Sequence, residues 1–293
     1  MEFDPEVAPD GIDWFQARGE TPAIVSISDI HGYLDAARAA LTAIEATDSY
    51  APVVVPDDDG RLHWADNDYI LLVNGDLIDR GPQNRECLDL LCRLADEAPP
   101  GRVRYHLGNH EMAVLFPERF PWPGTFSIEL DRDLRRRFIQ RVATGAITAA
   151  FEGYRYTYSH AGRNEPFAAS SANEEARRAA RELLAAMDEG NYDDVQRDVI
   201  ERHELVFGVG GAGGRGPSAG LLWMDFEHMR PEAPPQIVGH SRQPQPTRSA
   251  RVVCENVIRS NRHSPGGEAV LIEREGSIEA IINQPDSVDV WTL

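Results

Sequence analysis

The sequence predicts an α/β fold, and three observations carry that expectation. Short apolar runs of strand length alternate with longer stretches of helical periodicity. Five of these runs end in a polar cluster of Asp, Asn or His with glycine close by. The chain has 293 residues, 42% apolar and 26% charged, enough to bury one large core or two small ones. Such a composition excludes a disordered, collagenous or fibrous protein.

In chain order, residues 23–27 (Ala-Ile-Val-Ser-Ile) read as the first strand, closed by Ser28-Asp29, and 34–45 as a helix. Asp57-Asp58-Asp59-Gly60 marks an exposed turn. A second buried strand at 69–73 runs into Asn74-Gly75-Asp76, and a helix over 83–98 stops at Pro99-Pro100-Gly101. The third strand, 103–107, ends at Gly108-Asn109-His110-Glu111, and a helical pattern covers 131–150. A fourth strand, 154–158, ends at Ser159-His160-Ala161-Gly162. The acidic, alanine-rich stretch 173–204 reads as one or two helices, and glycine-rich 208–220 as a loop. Ile237-Val238 leads into Gly239-His240-Ser241, and two last strands, 269–274 and 277–282, meet at a tight turn, Glu275-Gly276. The expected organisation is one domain over 1–293, with an N-terminal extension at about 1–20 and a helical insert at about 165–205.

Twenty-nine basic against 48 acidic side chains give a net charge of −19, and the chain contains no lysine. Carboxylates hold water and cations, and arginine is the more weakly hydrated cation. The balance suits a salt-rich cytoplasm in which screening suppresses self-repulsion; a GC-biased coding sequence for an ordinary acidic protein gives the same bias. No apolar run approaches the roughly 18 residues a bilayer requires. The acidic start Met1-Glu2-Phe3-Asp4-Pro5-Glu6 lacks the positive charge of a secretion signal, so a cytoplasmic location is expected. The cysteines, Cys87, Cys92 and Cys254, have no metal-ligand spacing and read as packing residues in a reducing compartment.

Parallel strands joined by helices put their C-terminal ends along one edge, where ligands bind in open α/β sheets. The five clusters are therefore expected to meet. They supply carboxylates, imidazoles and one amide, a set suited to Mn²⁺, Fe²⁺ or Zn²⁺, and their glycines are expected to let the backbone turn sharply. A lone Asp or His is most often a helix cap or a hydrogen-bonded core residue. Seven such groups gathered at strand ends are costly without a cation.

The blocks Asp29-Ile30-His31-Gly32, Gly75-Asp76-Leu77-Ile78-Asp79-Arg80-Gly81, Gly108-Asn109-His110-Glu111, Ser159-His160-Ala161-Gly162 and Gly239-His240-Ser241 resemble, in order, the signature of the calcineurin-like metallophosphoesterases. The resemblance is closest to the phosphoprotein phosphatase and symmetrical diadenosine tetraphosphatase branch. It implies a metallophosphatase-type four-layer sandwich, two mixed β-sheets flanked by α-helices. It also implies two divalent metal ions, Mn²⁺ foremost, with Fe²⁺/Fe³⁺ or Zn²⁺ as alternatives. Asp29, His31 and Asp76 would hold one ion; Asp76, Asn109, His160 and His240 would hold the other. Two close cations need a shared anionic ligand, and a water bridging them loses its proton near neutral pH. The same resemblance implies His110 as general acid, Asp79 as the carboxylate that orients its imidazole, and Arg80 as a bidentate phosphoryl clamp. A second clamping arginine is implied, with Arg215, Arg230 and Arg242 as candidates. Leu221-Leu222-Trp223-Met224-Asp225 is similar to the branch's L-L-W-x-D segment.

Two departures bear on substrate. Arg242 stands where broader members, including many nucleases, have the last histidine of G-H-x-H. Arg259-Ser260-Asn261 occupies the region of a D-T-G-like stretch, which leaves substrate selection on that side open. The expected function is dinuclear-metal hydrolysis of a phosphomonoester, on serine, threonine or tyrosine of a protein or on a small phosphoester. The alternatives are a symmetrical bis(5'-nucleosyl)-tetraphosphatase and a catalytically silent scaffold. Nucleic acid is disfavoured by the lack of a basic stripe. The remaining histidines, His63, His106, His203, His228 and His263, read as surface or packing residues. Arg135-Arg136-Arg137, Glu174-Glu175 and Asp193-Asp194 read as solvated faces. Gly210-Gly211-Ala212-Gly213-Gly214 lacks a nucleotide loop's Gly-Lys-Ser/Thr ending and reads as a rim loop.

Overall fold

A computed structural model of the chain describes residues 9–293 apart from residue 212; the acidic start at 1–8 lies outside the described residues. The first strands are β1 (Ala23–Ile27), β2 (Val54–Pro56), β3 (Leu62–Trp64), β4 (Tyr69–Val73) and β5 (Val103–His106). They are followed by β6 (Ile147–Thr148), β7 (Ala150–Glu152), β8 (Thr157–Ser159), β9 (Gln236–Val238) and β10 (Thr247–Ser249). The last are β11 (Val252–Cys254), β12 (Ala269–Arg274), β13 (Ser277–Asn283) and β14 (Val288–Thr292). One mixed sheet has the order β14-β13-β12-β1-β4-β5-β6 and a second the order β10-β11-β9-β8-β7, with β2 and β3 forming a separate hairpin.

The period-two alternation of side chains on a strand builds the layers. Ile24, Ile70 and Leu72 of the first sheet meet Phe151, Tyr158, Ile237 and Val253 of the second, forming a core between the sheets. Val25, Ile27, Leu71 and Val73 belong to the outer core with Ala37, Leu41, Leu90 and Leu94, from helices Leu34–Thr42 and Asn84–Glu97. On the far side, helix Ala169–Glu189 buries Ala172, Ala176, Ala179, Ala180 and Leu183. The result is two mixed sheets flanked by helices. Strands β1, β4, β5 and β6 are parallel neighbours, as are β8 and β9, so the five clusters leave their sheets at the same edge.

Several expectations need correction. The helical pattern over 131–150 divides: the helix is Arg132–Ala143, Gly145 turns at φ 81°, and β-branched Ile147-Thr148 pairs with β5. The fourth strand is the second arm of the β7–β8 hairpin and begins at Thr157. Strands β2, β3, β10, β11 and β14 are additional to those the sequence predicts; the Asp57–Gly60 turn closes the β2–β3 hairpin. Arg135 is not on a solvated face. It is 6% exposed, and its guanidinium donates to the carbonyls of Val114 at 2.6 Å and of Ser127 and Leu130 at 3.2 Å. A planar fork with five donors satisfies carbonyls at a helix end that nothing else reaches. The three cysteines are free, Cys87 and Cys254 being buried. Residues before 20 pack on the body of the fold: Gly11 bridges to Glu152, and Phe15 is fully buried. Among the described residues no helix is long and apolar enough to cross a membrane.

Glu255 gives the core a pH dependence. It accepts from Ser26 Oγ at 2.6 Å and Asn74 Nδ2 at 3.2 Å, and burial pushes its carboxyl up to about 7. A carboxyl whose folded pKa is raised holds its proton in the fold while the unfolded chain has lost it. Stability is therefore full below the unfolded value near 4.5 and falls as pH rises towards 7. Glu255→Gln is expected to raise the unfolding free energy at pH 8 by up to about 3 kcal/mol, and to have little effect at pH 4.5. Urea unfolding at the two pH values measures it, and an equal gain at both would contradict the assignment.

Candidate functional site

The site is built where the strand ends turn away from their sheets. Asp29 and His31 follow β1, Asp76 and Asp79 follow β4, Asn109 and His110 follow β5, His160 follows β8 and His240 follows β9. Of the eight non-glycine residues with positive φ among the described residues, six are Asp29, His31, Asp76, Asp79, Arg80 and His240. Left-handed backbone at a non-glycine residue costs on the order of 1–3 kcal/mol, and here it aims the side chains into one space. The glycine expectation holds at Gly75, with φ 84°. It fails at Gly108, whose backbone is extended at φ −112° and ψ −177°. Gly108 is required by close approach instead: a Cβ there would collide with the Asp76 carboxylate.

Asp76 is the centre of the cluster. Its Oδ2 lies 3.3 Å from His31 Nε2 and 3.5 Å from His160 Nε2. His31 Nδ1 is 3.0 Å from the Ile78 carbonyl, and His160 Nδ1 is 3.1 Å from the Asn74 carbonyl. A carbonyl only accepts, so in both rings Nδ1 carries the proton and Nε2 turns a bare lone pair towards Asp76. Burial holds both imidazoles below their ordinary range. Burial also pushes Asp76 upward, but the His110 N–H and the positive charge that His160, His110 and His31 carry when protonated outweigh it and hold the carboxyl below its ordinary range. On the other side, Asn109 Oδ1 lies 3.2 Å from His160 Nε2 and 3.0 Å from His240 Nδ1, and the two histidine nitrogens are 3.3 Å apart. Asp29 Oδ1 is buried without a hydrogen-bond partner and lies 3.8 Å from His31 Nε2, while Oδ2 accepts from His240 N at 2.9 Å. Burial, then Asp76, push the Asp29 carboxyl upward. Lone pairs facing lone pairs in a dry pocket are repulsive unless a cation lies among them. The donor set therefore fits divalent metal ions.

Residues behind the cluster fix this arrangement. Glu111 accepts from the amides of Asp76 and Gly108 at 2.8 Å, from Leu77 N at 3.0 Å and from Tyr105 Oη at 2.7 Å. That one carboxylate ties the β4 turn to the β5 turn. His240 Nε2 lies 3.5 Å from Asp225 Oδ1, which favours the tautomer with Nδ1 bare. Beside the cluster, His110 Nδ1 lies 2.6 Å from Asp79 Oδ2. Asp79 is held in turn by Ser127, through N at 2.8 Å and Oγ at 2.7 Å. Arg80 Nη2 donates to His110 Nε2 at 2.7 Å, and Trp122 packs 4.8 Å from the His110 ring.

Above Asp76, Asn109 and His240 opens a cavity of about 630 Å³ lined by Arg80, Arg215, Arg242, Arg259 and Arg262, with Asp225 and Glu227. Of the three candidates for a second clamp, Arg215 and Arg242 line it. Arg230 does not, and its backbone N–H donates to Asn164. The sequence reading gave no role to Glu111, Ser127, Arg259 or Arg262. Glu111 belongs to one of the blocks, and Arg259 was marked by a departure from the resemblance. Nothing local distinguishes Ser127.

The chain belongs to the calcineurin-like phosphoesterase family, whose model matches residues 22–244, and it is a metal-dependent phosphatase. Among solved structures it is similar to a cold-active protein-tyrosine phosphatase from a psychrophile, Shewanella sp., at 17% identity and a TM-score of 0.62, covering 100% of this chain and 86% of that one. It also overlaps a protein serine/threonine phosphatase from Saccharomyces cerevisiae, at 14% identity and a TM-score of 0.49, covering 99% and 84%. At this identity the first likeness speaks to the fold. The family uses a dinuclear divalent metal site.

Proposed function

We propose that the chain is a dinuclear-metal phosphomonoesterase acting on phosphorylated serine, threonine or tyrosine of a protein. One observation carries the reading: acceptor groups converge on Asp76 directly beside a histidine–carboxylate pair, His110 and Asp79. Asp29, His31 and Asp76 hold one ion, and Asp76, Asn109, His160 and His240 the other. When bound, the ions supply Lewis-acid charge to the phosphoryl oxygens and acidify a water. Asp79 fixes the ring of His110, so that Nε2 can deliver a proton to the leaving oxygen. That nitrogen now accepts from Arg80. A phosphoryl group in the cavity competes for the guanidinium as a bidentate partner, which frees Nε2 to take up and give its proton. Trp122 walls one side of the imidazole.

A second reading, hydrolysis of a dinucleoside polyphosphate, is favoured by the arginines of the cavity. Elemental analysis joined to turnover of phosphoserine and phosphotyrosine peptides, p-nitrophenyl phosphate and diadenosine tetraphosphate separates the readings. Two divalent ions per chain and fastest kcat/KM on the peptides are expected. A lead for diadenosine tetraphosphate moves the chain to the second reading, and no turnover by metal-loaded protein returns it to a binding scaffold.

A further inference from the structure

The cavity holds more positive charge than one phosphoryl group needs. Among the described residues Arg215 is the only one of its five arginines in an ion pair with a carboxylate, Asp225, at 3.6 Å. In a chain with 48 acidic side chains and 29 arginines, counter-ions are plentiful. What sets this cavity apart is that four such unpaired cationic side chains, Arg80, Arg242, Arg259 and Arg262, line one space beside the metal-binding cluster. The crowding has two centres. Arg80 and Arg215 sit over the metal-binding cluster, since Arg80 interacts with Asp76, Asp29 and Arg215, and His240 with Arg215. Arg259 lies among Arg80, Arg242 and Arg262, and burial together with those neighbours holds its guanidinium down at about 10. Arg259 is carried by the short helix Ile258–Asn261, and Arg262 Nη1 donates to the Arg259 carbonyl at 2.6 Å. Arg80 borders both groups. Like charges are held together here at a cost that an anion would remove.

We propose that Arg242, Arg259 and Arg262 form a second phosphoryl subsite, and that the physiological substrate carries a second phosphoryl group beside the one that is cleaved. This rests on the phosphoesterase reading of the site and names a feature of its substrate. Guanidinium forks match phosphoryl oxygens, and the position of Arg80 between the groups sets the two anions next to each other. The second phosphoryl group has two sources, a linked polyphosphate chain or a neighbouring phosphorylated residue of the same peptide.

The test compares wild type with Arg259→Gln/Arg262→Gln and, separately, with exposed Arg242→Gln, all full-length and manganese-loaded. One arm takes the kcat/KM ratio of a peptide with two adjacent phosphoserines to the same peptide with one. The other takes the ratio of diadenosine tetraphosphate to p-nitrophenyl phosphate. At least one ratio is expected to fall about tenfold in the double variant and severalfold in Arg242→Gln, and the arm that falls names the source. Ratios unchanged within about twofold in both arms would overturn the subsite. Calorimetric titration with inorganic phosphate and methylenebisphosphonate, at fixed free manganese, reads the same preference without turnover. If no phosphoester is cleaved the parent reading fails, whereas a bisphosphonate preference that persists in the double variant fails the subsite alone.

Discussion

Asp76→Ala is expected to abolish metal binding and activity together. Asp76 is the one carboxylate that faces both halves of the cluster: Oδ2 meets His31 and His160, and Oδ1 accepts from His110 N at 2.9 Å. Without it the imidazoles remain, but the only charge left among the bare lone pairs is Asp29, which burial and its neighbours push towards protonation. Two cations drawn to one pocket repel each other, and the anion between them does most to offset that. The loss should exceed about 10³-fold in kcat/KM, roughly 4 kcal/mol of transition-state stabilisation, with fewer than one ion retained per chain. Asp76→Asn separates charge from shape. It can keep the hydrogen bond from His110 N and fold as the wild type does by circular dichroism, yet it should lose metal just as the alanine variant does. Full metal content in Asp76→Asn would show that the ions are held some other way.

What the sequence revealed and what it hid follow from the range over which each feature is encoded. A strand buried on both faces is a continuous apolar run, as at Tyr69–Val73, and the polar cluster after it is visible because nothing apolar dilutes it. The site residues lie in such clusters, so they were legible as a group before their geometry was known. Short strands are different. The edge strands β10 and β14, and the three-residue β11 between β10 and β9, owe their extended form to the strands beside them, and runs so short carry little periodicity. Arg135 looked solvated because a run of three arginines on a helix usually is; the carbonyls it satisfies belong to segments up to 22 residues away. Ser127 and Arg259 lie on one-turn helices, Phe126–Glu129 and Ile258–Asn261, whose placement only packing decides. They lie beside the cluster rather than in it, which is why the cluster was visible in the sequence while these neighbours were not.

His110→Ala should behave oppositely to Asp76→Ala, keeping its metal and losing turnover. His110 belongs by distance to a possible ligand group with His31 and Asp76, so geometry alone leaves two roles open. Its hydrogen bonds, Nδ1 to Asp79 and Nε2 to Arg80, favour the proton-transfer role proposed for it. Removing a general acid costs about 10²–10⁴-fold where the leaving oxygen is a poor one, and that dependence is the diagnostic. A phosphoserine peptide, whose alkoxide cannot depart unprotonated, should lose that full range. p-Nitrophenyl phosphate, whose phenolate departs without help, should lose far less. Ser127→Ala, which frees Asp79 Oδ2 from one of its donors, should show the same leaving-group pattern at about tenfold. If His110→Ala slowed both substrates equally, or shed its metal, the histidine would be a ligand or a structural support, and the proton would have to come from elsewhere in the cavity.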